Sequence, residues 1–272
     1  MSGTPKIYRY KTLSGLATRL RADLNDHDFV LLFAYNGIGK TRLSMAFKDC
    51  WKRKKKDGKR DTLYFNAYTE DLFHWENDLI GDSERYLQFN SNSRFFSGIK
   101  DLALEEKIFS YLERYADFDF KINYEKWTIT FSRDAEQNIK VSRGEENIFV
   151  WCIFLAICEL VVDGHVSYSW VKYLYIDDPI SSLDDNNAIA VAADLAQLLE
   201  KGRSKLKSVI SSHHGLFFNV MWNEFKRSKA KHKTYFCHHT TNSNEYTLRT
   251  TDEAPFFYHV TLASQHLSKI FV

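Results

Sequence analysis

Apolar residues along the chain fall into two recurring patterns. Near-continuous apolar runs predict strands that are buried on both faces, as in parallel sheets. Such runs occupy residues 28–35, 62–68, 171–176 and 206–212. Apolar positions at helical spacing predict helices over 13–24 and 188–201, and the second of these stands between two of the strands. This strand–helix–strand order favours an α/β fold with a mostly parallel core sheet.

The region 79–140 has a different pattern. A polar stretch is followed there by a helical segment and by strands of alternating polarity. These segments are residues 89–94, 102–115, 118–123 and 127–131. We interpret the region as a helical and antiparallel portion inserted into one domain, which we expect to span residues 1–253. The pattern also predicts a closing hairpin from strands 233–239 and 245–249.

Composition excludes several classes of protein. With 44% hydrophobic and 26% charged residues, the 272-residue chain has ample material for a folded core, so dominant disorder is excluded. A formal net charge of +2 produces no strong field toward nucleic acid or anionic membrane. The longest apolar stretch, 148–162, is too short to span a bilayer and contains Glu159. We therefore expect a buried helix there and no membrane partner.

Cysteine usage indicates the compartment. The four cysteines are scattered, none forms a Cys-x-x-Cys pair, and no secretory signal opens the sequence. A reduced, cytoplasmic protein is the expectation.

The clearest local motif lies between the strand at 28–35 and the next helix. Residues 34–41 read Ala-Tyr-Asn-Gly-Ile-Gly-Lys-Thr, which fits the phosphate-binding loop Gly-x-x-x-x-Gly-Lys-Thr except for Ala34 at the first position. In this reading Lys40 reaches the β- and γ-phosphates of ATP or GTP and the Thr41 hydroxyl binds Mg²⁺. The backbone cradle for the phosphates comprises Asn36, Gly37, Ile38 and Gly39. The alternative is an ordinary glycine-rich turn.

A second motif lies at the end of the strand near 171–176. Two carboxylates, Asp177 and Asp178, follow the apolar residues directly. We assign Asp177 to Mg²⁺ and Asp178 to polarising the attacking water. The alternative is that Asp178 and Pro179 only begin a turn.

Three further segments are typical of ABC-type ATPases. Ser142, Gly144 and Glu145 match the signature segment that contacts the γ-phosphate held by the opposite subunit, although Ser142 and Glu145 also fit a helix capping box. Residues 181–184, ending in Asp184, match the loop that contacts the partner's site. His213 ends a buried strand where a switch histidine senses the γ-phosphate. In this order and spacing, the segments indicate a P-loop NTPase of the ABC type.

These assignments imply more than one subunit. If the signature residues act on another protomer's nucleotide, the chain works as a head-to-tail dimer with composite sites. One subunit then supplies Lys40, Thr41, Asp177, Asp178 and His213, and the other supplies Ser142 and Gly144.

Several weaker signals remain open. Asn66 lies where ABC ATPases carry a glutamine that senses Mg²⁺, so it is our candidate substitute. The basic run 52–60 fits phosphate contacts or, as we prefer, a solvated loop. His214 is expected to have no switch role. A metal site is disfavoured for His232, Cys237, His238 and His239, since adjacent strand residues face opposite sides.

The motif-bearing segments together resemble one family. Residues 33–44, 64–79, 141–151, 175–187 and 210–225 look like the PrrC-type anticodon nucleases. The block Thr-Glu-Asp-Leu-Phe at 69–73 favours this family over other ATPases. Residues 254–260 resemble the segment that links the ATPase part to a nuclease domain, so we expect 254–272 to begin that linker.

The resemblance implies a function. Members of the family couple an ABC-type NTPase domain to a ribonuclease that cuts tRNA at the anticodon loop, as an antiviral response. A type I restriction–modification complex holds them latent, and nucleotide binding and hydrolysis activate them. The resemblance therefore implies Mg²⁺, ATP or GTP, tRNA and a restriction–modification complex as cofactors and partners.

The nuclease residues of that family are not recognisable here. Its centre is an Arg-x-x-x-Glu pair with a later histidine, in a helical domain beyond the linker. Arg227 is followed at the corresponding position by Lys231, and Arg249 with Glu253 fits the spacing but precedes the linker. We expect the chain to carry the NTPase portion without the nuclease.

Three other readings remain as alternatives. The chain fits a regulatory subunit that clamps nucleotide slowly, because Asp178 replaces the usual glutamate. It also fits a DNA-repair ATPase of the SMC/Rad50 kind, although the segment between Lys40 and Ser142 is too short for a long coiled coil. A transporter nucleotide-binding domain is disfavoured by the loop at 34–41 and the block at 69–73.

Overall fold

The protein was analysed as a computed structural model that describes residues 5–50, 61–66, 72–77, 85–90, 96, 104–179, 185–240 and 244–251. These residues form two compact units. The first unit is drawn from residues 1–66, 170–180 and 184–272, and the second from residues 67–169 and 181–183.

Twelve strands and six α-helices make up the described chain. The strands are β1 (Ile7–Tyr10), β2 (Phe29–Ala34), β3 (Thr62–Asn66), β4 (Phe73–Asn77), β5 (Arg85–Phe89), β6 (Asp119–Asn123), β7 (Thr128–Arg133), β8 (Glu136–Gln137), β9 (Tyr173–Asp177), β10 (Lys207–Ser212), β11 (His232–Thr240) and β12 (Glu245–Thr250). The helices are α1 (Leu13–Asp23), α2 (Lys40–Asp49), α3 (Leu104–Leu112), α4 (Arg143–Asp163), α5 (Asp185–Gly202) and α6 (Gly215–Arg227).

The first unit is built on a seven-stranded sheet in the order β1-β12-β11-β2-β10-β9-β3. The five strands from β11 to β3 are mutually parallel, and β12 and β1 extend one edge in antiparallel pairing. All six residues of β2 are buried, which explains its continuous apolar sequence. Helices α1 and α2 pack on each other, as do α5 and α6. The predicted α/β fold with a mostly parallel sheet is confirmed.

The second unit contains an antiparallel sheet in the order β4-β5-β7-β6, with β8 paired to β7. Helix α3 packs on the long helix α4. Fourteen residues of α4 are buried, so this helix is apolar around most of its circumference. Ser142 begins α4 with a complete capping box, and Gly164, at φ 79°, ends it in the left-handed conformation.

The sequence pattern missed part of this architecture. Strand β11 forms the predicted hairpin with β12, but it also pairs in parallel with β2. It is therefore part of the core sheet as well. Helix α6 and strands β1, β4 and β5 were not expected. β1 pairs with β12 and β5 pairs with β7, and local patterns do not reveal such pairing between segments far apart in sequence.

Candidate nucleotide-binding site

The candidate site lies at the carboxyl ends of three neighbouring parallel strands, β2, β10 and β9. The loop 35–39 follows β2, Asp177 ends β9, and His213 follows β10. Open α/β sheets bind their ligands at this edge. The topology therefore brings together residues that lie far apart in sequence.

The loop after β2 has the backbone that phosphate binding requires. Gly37 and Gly39 have φ angles of 83° and 95°, which glycine adopts without strain. Gly39 is the N-cap of α2, so the loop delivers the free N–H groups of that helix end. Ala34, where the motif has glycine, is the last residue of β2 and needs no special conformation.

Lys40 is buried beneath this loop. Its Nζ donates to the Asn36 side-chain oxygen at 3.0 Å and to the Ala34 carbonyl at 3.2 Å. The same atom forms an ion pair with Asp178 at 3.2 Å, and both side chains are only 8% exposed. The ammonium is thus held by acceptors that a phosphate can replace.

The Asp177 carboxylate is held from two sides. Thr41 donates its hydroxyl to Oδ2 at 2.9 Å and Ser211 donates to Oδ1 at 2.8 Å. Burial raises the pKa of Asp177, and the bonds from Ser211 and Thr41 partly oppose the rise. A hydroxyl and a carboxylate oxygen side by side are ligands that Mg²⁺ accepts, with phosphate and water oxygens completing its coordination. Thr41 and Asp177 therefore fit the predicted Mg²⁺ site.

Asp178 adopts the left-handed conformation, with φ 53°. Its Oδ2 lies 2.6 Å from His213 Nδ1. Its Oδ1 accepts from the Ser212 hydroxyl at 3.1 Å and from the His213 N–H at 3.2 Å. The carboxylate, the imidazole and Lys40 therefore form one contiguous cluster.

The signature residues lie at the start of α4 in the second unit. The Glu145 carboxylate accepts from the Ser142 N–H at 2.7 Å and pairs with Arg133 on β7, which also contacts Asp117 at 3.0 Å. Burial opposes ionisation of Glu145, but the bonds from Ser142 and Arg133 outweigh it and lower its pKa. The capping box is therefore real, and Gly144 lies in the first turn of α4.

The remaining predicted residues have varied positions. Asn66 ends β3 in register with Asp177 of β9. His214 is the N-cap of α6, where its Nδ1 accepts from the Phe217 N–H. Asp184, the basic run 52–60, the first three residues of the block at 69–73, and residues 253–272 lie outside the described residues.

Metal-ligating side chains do not cluster elsewhere in the described chain. No group of three or more His, Cys, Asp or Glu residues there is arranged to hold an ion. His239 stacks on Tyr246, and Cys237 is buried, where burial raises its pKa to about 12. No described helix is long and apolar enough to cross a membrane.

Sequence reasoning missed two residues of this site and a third that lies beside the signature segment of the second unit. Ser211 and Ser212 contact the two aspartates, and Arg133 supports the signature segment. The available signal was two adjacent serines at the end of a buried strand, directly after Val209 and Ile210. Most buried hydroxyls have a hydrogen-bond partner, and for Ser211 and Ser212 the two aspartates supply it.

A family described as AAA domain matches residues 101–259, which is more than half of the chain. The chain belongs to this AAA-domain family. The AAA-domain chain is also 37% identical over 226 residues to an anticodon nuclease of Escherichia coli. This alignment covers 71% of the chain but only 57% of that relative. The resemblance to anticodon nucleases is therefore confirmed for the part that the two proteins share.

Solved structures show a weaker likeness to the AAA-domain chain. An SMC head bound to the C-winged helix domain of ScpA aligns with a TM-score of 0.43 and 12% identity, covering 84% of this chain and 91% of that one. The SMC head domain from Thermotoga maritima aligns with a TM-score of 0.38 and 12% identity, covering 78% of this chain and 86% of that one. Scores below 0.5 establish no closer relationship.

Proposed function

We propose that this chain is the Mg²⁺-dependent, ATP- or GTP-hydrolysing portion of a tRNA-cleaving anticodon-nuclease system. The observation that carries the proposal is the convergence of Lys40, Asp178 and His213 beside Thr41 and Asp177 at one edge of the parallel sheet. The identity to an anticodon nuclease supports the choice of system.

Each residue has a role that follows from its contacts. Lys40 neutralises phosphate charge, and the N–H groups at the start of α2 bind the same oxygens. Thr41 and Asp177 hold Mg²⁺, which supplies charge neutralisation to the phosphates when bound. Asp178 accepts a proton from the attacking water, and His213 keeps that carboxylate oriented.

The working form is a homodimer or higher oligomer with composite sites. Ser142 and Gly144, at the positive end of α4, would bind the γ-phosphate held by the partner, and Glu145 shapes that helix end. Asp184 and Asn66 are further candidates for contacts across and within the site. Four free cysteines fit a reducing, cytoplasmic setting.

The biological context is the antiviral one of the relative's family. In that context a type I restriction–modification complex keeps the nuclease latent, and the nucleotide cycle releases it. tRNA is the corresponding nucleic-acid partner. These partners are proposed because the chain is 37% identical to an anticodon nuclease over 71% of its length.

Phosphate release by the purified chain tests the proposal. With Mg²⁺ and ATP or GTP we expect turnover, which Lys40→Ala abolishes because the phosphates lose their cation. Asp178→Asn removes the proton acceptor and should lower kcat by about 10²- to 10⁴-fold. Lys172→Ala, an exposed lysine next to β9, is the matched control and should hydrolyse like the wild type.

The outcomes separate the candidate functions. Nucleotide binding without turnover would contradict the proposed hydrolysis and would support a regulatory subunit that binds nucleotide and releases it slowly. tRNA incubated in the same reactions should remain intact if the nuclease is not part of this sequence. Cleavage of an anticodon loop would instead assign nuclease chemistry to this chain, and variants of Arg249, Glu253 and His259 would then be the first to examine.

A further inference from the structure

Strand β10 carries three fully buried serines. Ser208 and Ser211 have no exposed surface and Ser212 is 1% exposed. A buried hydroxyl costs free energy unless it is hydrogen-bonded. Alternation along the strand places Ser211 on one face and Ser208 and Ser212 on the other. All three serines are therefore equally buried, and their hydroxyls differ in what they contact.

Ser211 contacts the proposed Mg²⁺ ligand. Its hydroxyl lies 2.8 Å from Asp177 Oδ1, with the Ile176 carbonyl a more distant acceptor at 3.4 Å. The strand register places Ser211 directly beside Asp177. Because Thr41 holds the other oxygen, Ser211 completes a pair of donors that prevents the carboxylate from rotating.

Ser212 contacts the second aspartate. Its hydroxyl donates to Asp178 Oδ1 at 3.1 Å and accepts from the His214 N–H at 3.1 Å. His214 is the N-cap of α6, so Ser212 links the Asp178 carboxylate to a rigid helix end. The orientation of Asp178 therefore depends on this serine as well as on His213.

We propose that Ser211 and Ser212 are positioning residues with separate tasks, Ser211 orienting Asp177 toward Mg²⁺ and Ser212 orienting Asp178 toward the attacking water. The proposal rests on the nucleotide-hydrolysing function proposed above. Partners that orient metal ligands from behind affect metal affinity by about 10- to 100-fold. Ser212 instead affects the chemical step, because a misdirected base loses alignment with the water.

The test compares Ser211→Ala, Ser212→Ala and Ser208→Ala in the full chain. Ser208 is the matched control, since its buried hydroxyl has no hydrogen-bond partner among the described residues. Mn²⁺ binding is titrated by electron paramagnetic resonance with a non-hydrolysable ATP analogue, and phosphate release is measured against Mg²⁺ concentration. Mn²⁺ replaces Mg²⁺ as the spectroscopic probe.

The expected results differ for each serine. Ser211→Ala should weaken Mn²⁺ binding by about 10- to 100-fold and raise the Mg²⁺ requirement equally. Ser212→Ala should leave Mn²⁺ binding unchanged and lower kcat by about 10-fold or more. Ser208→Ala should change neither. If Ser211→Ala does not fold, Ser211→Thr, which keeps the hydroxyl, should bind Mn²⁺ like the wild type, whereas Ser211→Val should not.

Two results would overturn the proposal. One is Mn²⁺ binding by Ser211→Ala that equals the wild type. The other is an equal loss in Ser208→Ala, which would indicate a general effect of altering β10. Absence of phosphate release from the wild type would overturn the proposed hydrolytic function instead. The Mn²⁺ titration would then still test whether Ser211 orients Asp177 toward the metal.

Discussion

At the scale of single residues, backbone conformation selects the side chains of the site. Asp178 has a φ of 53°, a region that aspartate and asparagine enter more readily than other non-glycine residues. Its short side chain then reaches Lys40, Ser212 and His213 at once. The replacement of the usual glutamate by aspartate is therefore compatible with a carboxylate that is held closely.

Gly37 supplies a prediction at this scale. A Cβ added there meets no atom within 4 Å, but φ is 83°, so Gly37→Ala introduces backbone strain without a steric clash. We expect a loss of about 1–2 kcal/mol in the free energy of unfolding and weaker nucleotide binding. Gly215→Ala is the control, because its Cβ also meets nothing and its φ is ordinary.

Urea unfolding followed by circular dichroism measures both variants. Gly215→Ala should be neutral or stabilising by up to about 1 kcal/mol, because alanine has less freedom than glycine in the unfolded chain. Equal stability of the two variants would show that the loop tolerates ordinary backbone angles.

At the scale of elements, Arg21 connects helices α1 and α2 to strand β9 and to the start of β3 in the first unit. The Arg21 guanidinium, on α1, lies 4.5 Å from the ring centroids of Phe47 on α2 and Tyr173 on β9. It donates to Asp61, just before β3, through two bonds of 2.9 Å and to the Phe47 carbonyl.

Asp61 provides a pH-dependent prediction. Burial alone would raise the pKa of Asp61, but hydrogen bonds from Arg21 and Thr62 outweigh burial and hold this pKa below its ordinary value. Its ionised form is therefore favoured by folding, and this stabilisation is complete above the unfolded pKa and lost as pH falls through the folded pKa. At pH 7, Asp61→Asn should lower the free energy of unfolding by about 2 kcal/mol.

Thermal unfolding at pH 7 and near pH 3 checks the sign. The difference in Tm between wild type and Asp61→Asn should shrink in acid. Glu245→Gln, in the exposed pair with Arg9, is the control and should cost less than about 1 kcal/mol. A Tm difference that is constant with pH would contradict the role given to the Asp61 charge.

At the scale of the whole molecule, the predicted site residues divide between the two units. Lys40 and Asp178 belong to the first unit and Ser142 to the second. A composite site requires the Ser142 of one subunit to act on the nucleotide of another. Complementation between inactive variants tests this directly.

Ser142→Asp keeps an N-cap acceptor but places a negative charge against the phosphate. We expect Ser142→Asp and Lys40→Ala to be inactive alone. In mixed dimers one of the two sites is intact, so random mixing should restore phosphate release to about a quarter of the wild-type rate in a symmetric dimer. Ser142→Asn, a neutral N-cap, is the control and should remain more active than Ser142→Asp. If mixing does not restore activity, either Ser142 and Lys40 act in the site of the same subunit or the chain does not form dimers with composite sites.

Much of this protein follows from the sequence by itself. The buried strands β2, β9 and β10, the loop with Gly37 and Gly39, and the capping box at Ser142 were all predicted, because each depends on residues that are neighbours along the chain. The functional roles of Asp177, Asp178, His213 and the signature residues stay predictions, although five of the predicted residues lie together at one edge of the sheet.

Only the tertiary structure decided the rest. The place of β11 in the parallel sheet, the contacts of Ser211 and Ser212 with the aspartates, and the pairing of Arg133 with Glu145 arise between segments that fold side by side. Ser211 and Asp177 lie 34 positions apart, and no periodicity connects them. Local patterns report which face of an element is buried, whereas the partner of a buried polar group is chosen by strand order and register.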